Sequence, residues 1–298
     1  MQPIQRAAIV GVTGFVGRGL PVLLADHGVV TTGISRSGNG TLPGIDRWQT
    51  PDTLDLSGHQ AVINLAGEPI DQRWNRQSRR LFHESRVGLT HRVVDAIAKL
   101  PTEVRPKVLV NASAVGIYGD RGDEILTETA ASGYGYLADL CREWEQAAQV
   151  AESLGVRVVR LRIGVVLGKN GPAFEKLLTV FKLGIGGRLG SGQQWVPWIH
   201  LADLRAAIIH AAHSENLSGP INASAPNPER NCDLTRKLAT ALHRPAVLPA
   251  PAFALKIALG GFSSVLLASQ RTLPAALEAD GFRFQFPTLE TALADLIA

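Results

Sequence analysis

An apolar run closed by three glycines at three-residue spacing, later apolar runs alternating with helical patterns, and an ordinary globular composition together predict an α/β fold. The expected architecture is a doubly wound, Rossmann-like parallel sheet with a smaller C-terminal lobe on the substrate side. At 298 residues the chain can bury one large core or two modest ones. Apolar residues make up 45% and charged residues 19%, which excludes a disordered chain.

The first element fixes the rest. Ala7 to Val10 reads as a buried strand, and Gly11, Gly14 and Gly17 follow it. A helical pattern with Leu20, Leu23 and Leu24 then runs to His27-Gly28. Strand, glycine turn and helix form the context of a dinucleotide phosphate site. Gly11 permits the tight turn off the strand, Gly14 removes a Cβ where a pyrophosphate must approach, and Gly17 allows close helix packing. The helix N-terminus offers free N–H groups to the phosphates. The blander reading is a glycine-rich turn without a ligand, and its place at the head of an alternating strand/helix chain argues against it.

The second strand, Val29 to Ile34, leads into Ser35-Arg36-Ser37. An acidic residue there would accept from a ribose 2′-hydroxyl and favour NAD; Ser35 with Arg36 and no acid favours the 2′-phosphate of NADP. Arg36 also fits a solvated loop residue. Asp46 to Gln49 is a short third strand, and Ala61 to Gly67 a fourth that ends in small residues. Asp71 to Leu100 reads as one long helix with Leu89, Val93, Val94 and Ile97 on its apolar stripe. Arg86 lies near that stripe, and spacing alone leaves a cofactor-directed and a surface role equally open. Lys107 to Ala114 is a fifth strand, apolar enough to be buried on both faces. It carries Ser113, and Tyr118 lies just beyond. Ala138 to Leu154 is helical, and Val156 to Ile163 is a further strand. Helices between strands imply right-handed crossovers. A dinucleotide-binding domain over residues 1–165 is expected, with later elements returning to its sheet, and a substrate-side lobe over 166–298. In that lobe, Gly184 to Gly192 is a glycine-rich loop, and Asp203 to Ala212 and Asp233 to Leu242 are helices. Phe253 to Leu267 is apolar and broken by glycine, as a packing helix or a partner face would be.

The formal net charge is +4, with Lys and Arg spread along the chain, so no nucleic-acid surface is expected. Cys141 and Cys232 are the two cysteines, far apart and outside any metal-ligand spacing, so no metal is expected. They fit a reducing compartment. Without a signal-peptide pattern or an apolar run of ~20 residues, a cytoplasmic protein with no membrane partner is expected.

Several stretches carry a family resemblance. They are Gly-Val-Thr-Gly-Phe-Val-Gly at 11–17, Ser-Arg at 35–36, Asn-Leu-Ala-Gly-Glu-Pro-Ile at 64–70 and Glu-Ser-Arg at 84–86. Further on come Leu-Arg-Ile-Gly-Val-Val-Leu-Gly at 161–168, Phe-Lys-Leu-Gly-Ile-Gly-Gly at 181–187, Trp-Val-Pro-Trp-Ile-His-Leu-Ala-Asp-Leu at 195–204 and Ala-Leu-His-Arg-Pro-Ala at 241–246. The chain resembles an extended short-chain dehydrogenase/reductase of the nucleoside-diphosphate-sugar epimerase type. More narrowly it resembles the atypical epimerase family proteins, whose older label was cell-division inhibitor homologues. The resemblance implies NADP binding by Gly11, Thr13, Gly14, Phe15, Val16, Gly17, Ser35, Arg36, Leu65, Ala66, Gly67, Arg86 and Val166. It also implies a C-terminal helical segment from about Arg244 that is characteristic of the subgroup.

Active members of the wider family use a Ser, a Tyr and a Lys, the last two as Tyr-x-x-x-Lys on the helix after the fifth strand. There the Lys lowers the Tyr pKa and the Tyr exchanges a proton with substrate. Here Tyr134 is followed by Ala138 and Tyr136 by Leu140. Aligning on Trp144-Glu145 places Leu137 and Cys141 at the Tyr and Lys positions. Arg142, about 100° around the helix from Cys141, should point elsewhere. Two functions are consistent with this. One is an NADP-dependent oxidoreductase or epimerase on an unknown, nucleotide-sugar-like substrate, with displaced acid/base groups among Ser113, Tyr136, Tyr118, Glu68 and His200. The other is an inactive NADP-binding regulatory or redox-sensing protein. His200 also fits a structural residue ahead of the Asp203 helix, and Tyr118 a packing residue. Either a monomer or a homodimer is consistent with the outer helices.

Overall fold

The computed structural model describes residues 4–298. Its central sheet contains β1 (Arg6–Val10), β2 (Val30–Ile34), β3 (Ile45–Gln49), β4 (Ala61–Asn64), β5 (Val108–Ala114), β6 (Arg157–Ile163) and β7 (Gly219–Ala223). Their spatial order is β7-β6-β5-β4-β1-β2-β3, with every adjacent pair parallel. The expected Rossmann-like doubly wound sheet is present. The chain first moves outward from β1 to β3, then returns to β4 on the other side of β1. That reversal opens a crevice beyond the carboxyl ends of β1 and β4.

The strands are apolar on both faces because both are covered. Ala7, Ile9, Ile63, Val110 and Leu161 pack on α1 (Leu20–Ala25) and a later helix that supplies Leu204, Ala207, Ile208 and Ala211. The alternate residues Ala8, Val10, Val62, Leu109 and Val158 point the other way. They meet Leu89, Val93, Val94, Ile97 and Ala148.

The long helix expected from Asp71 begins later. It is α2 (Arg76–His83), a single π-helical turn at Glu84–Gly88, and α3 (Leu89–Ala98). Asn75 caps it: its side chain accepts from the Ser78 N–H at 2.8 Å, and the Ser78 hydroxyl accepts from the Asn75 N–H at 2.8 Å. The next helix, α4 (Tyr136–Gln149), starts two residues before the expected Ala138 and closes in a 3-10 turn at Val150–Leu154.

After β6 the chain builds a second core around α5 (Pro172–Lys182), then crosses back to the sheet as α6 (Leu201–His213) and β7. It returns to the lobe as α7 (Asn231–Leu242) and α8 (Ala252–Leu259). Two short helices, α9 (Ser263–Leu267) and α10 (Ala275–Ala279), precede the last, α11 (Leu289–Ile297). Leu167, Phe174, Phe181, Trp198, Leu234, Leu238, Leu289 and Leu293 form the lobe's core. Among the described residues, no helix is long and apolar enough to cross a membrane. No group of three or more His, Cys, Asp or Glu among them is placed to hold a metal ion.

Candidate functional site

Gly11 leaves β1 with φ +80, a conformation L side chains rarely adopt, and its N–H donates to the Ile34 carbonyl at 2.9 Å. A Cβ on Gly11 would stand 2.9 Å from the Ala66 backbone, so the turn after β1 and the segment after β4 touch at this glycine. A Cβ on Gly17 would lie 2.6 Å from the Gly11 carbonyl oxygen. One on Gly14 would meet only that same oxygen, at 3.1 Å, so the outer side of the turn is open. Thr13 and Gly14 are exposed there. This bare, positive-φ cradle at a helix N-terminus fits a pyrophosphate.

The lobe holds the turn from behind. Arg205 of α6 donates to the Val16 and Phe15 carbonyls at 2.9 and 3.0 Å. The Phe15 ring lies so close to Gly168 and Gly171 that a Cβ on either would be within 2.9 Å of it. Val166 sits in a short strand, Val165–Leu167, opposite Ile199 of Trp198–His200. Ser35 is buried at the end of β2, with its hydroxyl 3.2 Å from that of Ser37. Arg36 is exposed beside it and makes no ion pair among the described residues.

At the carboxyl end of β4, Leu65 donates its N–H to the Val10 carbonyl at 2.9 Å. Asn64 donates to Thr90 and Asn111 at 3.0 and 2.7 Å, and the Trp144 indole N–H reaches Thr90 at 3.0 Å. This buried polar network ties α3 and α4 to β4 and β5 beneath the crevice. The π turn places Ser85 and Arg86 against the next residues. The Ser85 hydroxyl accepts from the Glu68 N–H at 2.9 Å, and Arg86 donates to the Glu68 carbonyl at 3.0 Å. A Cβ on Gly67 would be 3.1 Å from the Arg86 guanidinium, so Arg86 points back over the strand end. Burial lowers its pKa from the ordinary arginine range.

The expected acid/base candidates are not gathered around one point. The buried Ser113 donates its hydroxyl proton to Glu145 Oε1 at 2.7 Å. Arg162 of β6 clamps the same carboxylate, Nε to Oε1 at 2.9 Å and Nη2 to Oε2 at 3.0 Å. Burial opposes the Arg162 charge, but the hydrogen bonds and charge of Glu145 outweigh it and raise its pKa. Arg162 also donates to the Tyr118 hydroxyl at 2.9 Å, which in turn donates to Asn222 Oδ1 at 2.7 Å. Tyr118 is fully buried, and burial raises its pKa. Tyr136 stands apart: its ring lies 5.3 Å from Trp74, with the Arg79 guanidinium 4.6 Å from its centroid. Burial raises its pKa too. His200 caps α6, accepting from the Ala202 N–H at 3.2 Å, with its ring 3.9 Å from that of Phe286.

Leu137 and Cys141 both face Gly116. Burial pushes the Cys141 thiol up to about 12, so it is protonated at neutral pH. Arg142 turns away, donating to the Gly133 carbonyl at 2.8 Å and pairing with Asp139. Neither of the two positions aligned with the Tyr and Lys of the family pair carries a titrating group at neutral pH. In the sequence, Glu145 and Arg162 stand only within motif stretches, with no role assigned to them, and Asn222 in none. They lie on a helix and two strands, and only the strand order brings them together.

The model of the NAD dependent epimerase/dehydratase family matches residues 7–223, and a domain of unknown function, DUF1731, matches residues 250–296. A chloroplastic epimerase family protein, the SDR39U1 homolog of Arabidopsis thaliana, is 40% identical over 96% of this chain and 85% of its own length. Among solved structures, human epimerase family protein SDR39U1 (isoform 2) with NADPH superposes with a TM-score of 0.90. It is 32% identical over 98% of this chain and 99% of that one. A nucleoside-diphosphate sugar epimerase from Corynebacterium glutamicum is 34% identical with a TM-score of 0.81, over 99% of this chain and 58% of that one.

Proposed function

The chain belongs to the NAD-dependent epimerase/dehydratase family, and from that premise we propose that it binds NADP(H) and acts as an oxidoreductase or epimerase without the family's usual Tyr/Lys pair. The observation that carries the cofactor choice is Arg36, exposed beside Ser35 at the end of β2 and with no ion pair among the described residues. A 2′-phosphate placed there gains a charge-assisted contact that a 2′-hydroxyl cannot. The human relative's NADPH points the same way. Gly11, Thr13, Gly14, Phe15, Val16 and Gly17 would hold the pyrophosphate, and Leu65, Ala66, Gly67, Arg86 and Val166 the rest of the dinucleotide. When bound, the nicotinamide supplies or accepts a hydride. Ser113 can offer substrate only a lone pair, since its proton is held by Glu145. A proton donor must therefore come from Tyr136, Glu68 or the substrate itself.

Calorimetry with NADPH and NADH tests the cofactor assignment. NADPH is expected to bind at least about tenfold tighter, since one charge-assisted contact contributes about 1.5–3 kcal/mol and tenfold needs about 1.4. Arg36→Ala should abolish the preference; equal affinities in the unaltered protein, or a preference untouched in the variant, would refute it. The side chain of Leu137 and the thiol of Cys141 at the Tyr and Lys positions favour a second reading, a cofactor-binding regulator without turnover. Ordinary UDP- and GDP-sugar epimerisation is accordingly expected to be absent or very weak. Following reduced-nicotinamide absorbance across a broad panel of carbonyl and alcohol substrates separates the two readings, because the regulator gives no change with any of them.

A further inference from the structure

The His243-Arg244-Pro245-Ala246 motif and the loop ending at Arg188 take no part in the site at the strand ends, yet the fold brings them together. With one side of α7 they line an open cavity of about 700 Å3. Its lining holds Arg188, Arg236, His243 and Arg244 and no carboxylate. Arg236 alone is paired, with Asp233 at 2.7 Å. Arg188, Arg244 and His243 make no ion pair or side-chain hydrogen bond among the described residues. Thr235 also lines the cavity; it is 6% exposed, and its hydroxyl has no hydrogen-bond partner among the described residues. His243 adopts a left-handed backbone, φ 51, at the C-terminus of α7, which turns Arg244 back along the helix.

Cations at the end of α7 complement the helix dipole, and that accounts for His243 and Arg244. It does not account for Arg188, which arrives from a separate loop, or for Thr235, which sits within the helix. Arg188, His243 and Arg244 are exposed around the cavity, and of its four basic residues only Arg236 has a carboxylate partner, so an anion placed there gains charge-assisted contacts with groups that otherwise face water. We infer that this cavity is a second ligand site, for a small molecule carrying a phosphate or diphosphate group. The forked donors of arginine match phosphate oxygens. The Thr235 hydroxyl adds a donor that no other group holds among the described residues, and the cavity lies within the ~300–1,000 Å3 range of small-molecule pockets. Ala246 and Val247 give it an apolar wall for an organic portion. None of the residues of the Gly11–Gly17 turn, Ser35–Arg36 or Leu65–Gly67 lines it, so this site is independent of the dinucleotide reading.

The test is calorimetric titration of the full chain with sodium pyrophosphate and, separately, phenyl phosphate, at constant ionic strength. Saturable binding is expected, weakened at least about tenfold in Arg188→Ser/Arg244→Ser and reduced in Thr235→Val. Tighter phenyl phosphate marks an organic ester as the natural class, and tighter pyrophosphate a free diphosphate. All three positions can be changed without removing an apolar core side chain, and circular dichroism checks that the variants fold. A control pair removing exposed charge elsewhere, Lys99→Ser/Lys256→Ser, should bind as the unaltered protein does. Absence of saturable heat overturns the proposal. So does equal weakening in the control pair, which means bulk charge, or full affinity retained in Arg188→Ser/Arg244→Ser, which places the anion at the Gly11–Gly17 turn or another site.

Discussion

Ser113 donates to a carboxylate that an arginine already holds on both oxygens, and this arrangement makes the pair costly to break from one side. Glu145 and Arg162 side chains are 6% and 9% exposed. Glu145→Gln would leave the Arg162 cation buried without its counter-charge, a loss of about 3–5 kcal/mol by comparison with other buried pairs. Urea unfolding should show that loss, and Glu145→Leu/Arg162→Met should cost less than Glu145→Gln alone. Burial holds the imidazoles of His59 and His200 below their ordinary value of 6.5. His59 Nε2 lies 2.9 Å from the Thr32 hydroxyl, and its Nδ1 has no hydrogen-bond partner among the described residues. The folded state thus binds fewer protons than the unfolded chain below that value. Their contribution is fully present above pH 6.5 and is lost as pH falls through the native values. Each histidine contributes a slope of at most about 1.4 kcal/mol per pH unit. His59→Gln/His200→Asn should flatten stability against pH between about 7 and 5; an unchanged slope would show that other groups govern acid unfolding.

At the scale of elements, the strands were readable because burial on both faces leaves continuous apolar runs, as in Val108–Val110. The start of α2 at Arg76 departs from the expected Asp71. Asp71 to Trp74 carry polar and aromatic residues compatible with a helix, but they form an irregular segment in which Trp74 donates to the Ile70 carbonyl at 2.8 Å. The signal that places the boundary is Asn75 with Ser78 three residues on, a cap written in short polar side chains rather than in periodicity. Asn75→Ala should therefore lower stability by about 1 kcal/mol, and Asn75→Gly by only a few tenths, in denaturant titration. The π turn was equally invisible. One turn of wider hydrogen bonding changes no residue type, yet it aims both Ser85 and Arg86 at Glu68. Spacing left the direction of Arg86 open because the answer lay in that local irregularity.

Across the whole molecule, the sheet and its two helical layers follow from local pattern, whereas the joins between sheet and lobe do not. Asn222 of β7 receives the Tyr118 hydroxyl and donates to the Leu126 and Leu273 carbonyls at 3.0 and 2.9 Å, a link among segments far apart in the chain. Asp203 accepts the Gln285 and Phe286 N–H groups at 2.7 and 3.0 Å, and so anchors the chain that leads into α11. The apolar C-terminal segment divides into two parts that its composition does not distinguish. Leu293 and Leu296 of α11 are 3% and 6% exposed within the lobe core. Phe253 and Ile257 of α8 are 68% and 71% exposed and cover nothing. Truncating the first pair opens cavities, at about 2–5 kcal/mol each. Changing the second pair to serine removes no core contact and should stay within about 0.5 kcal/mol. Thermal unfolding of Leu293→Ala/Leu296→Ala against Phe253→Ser/Ile257→Ser should therefore show a large drop in Tm for the first and almost none for the second. A matching drop in the second would mean that α8 is covered in solution by protein surface that a single chain does not provide.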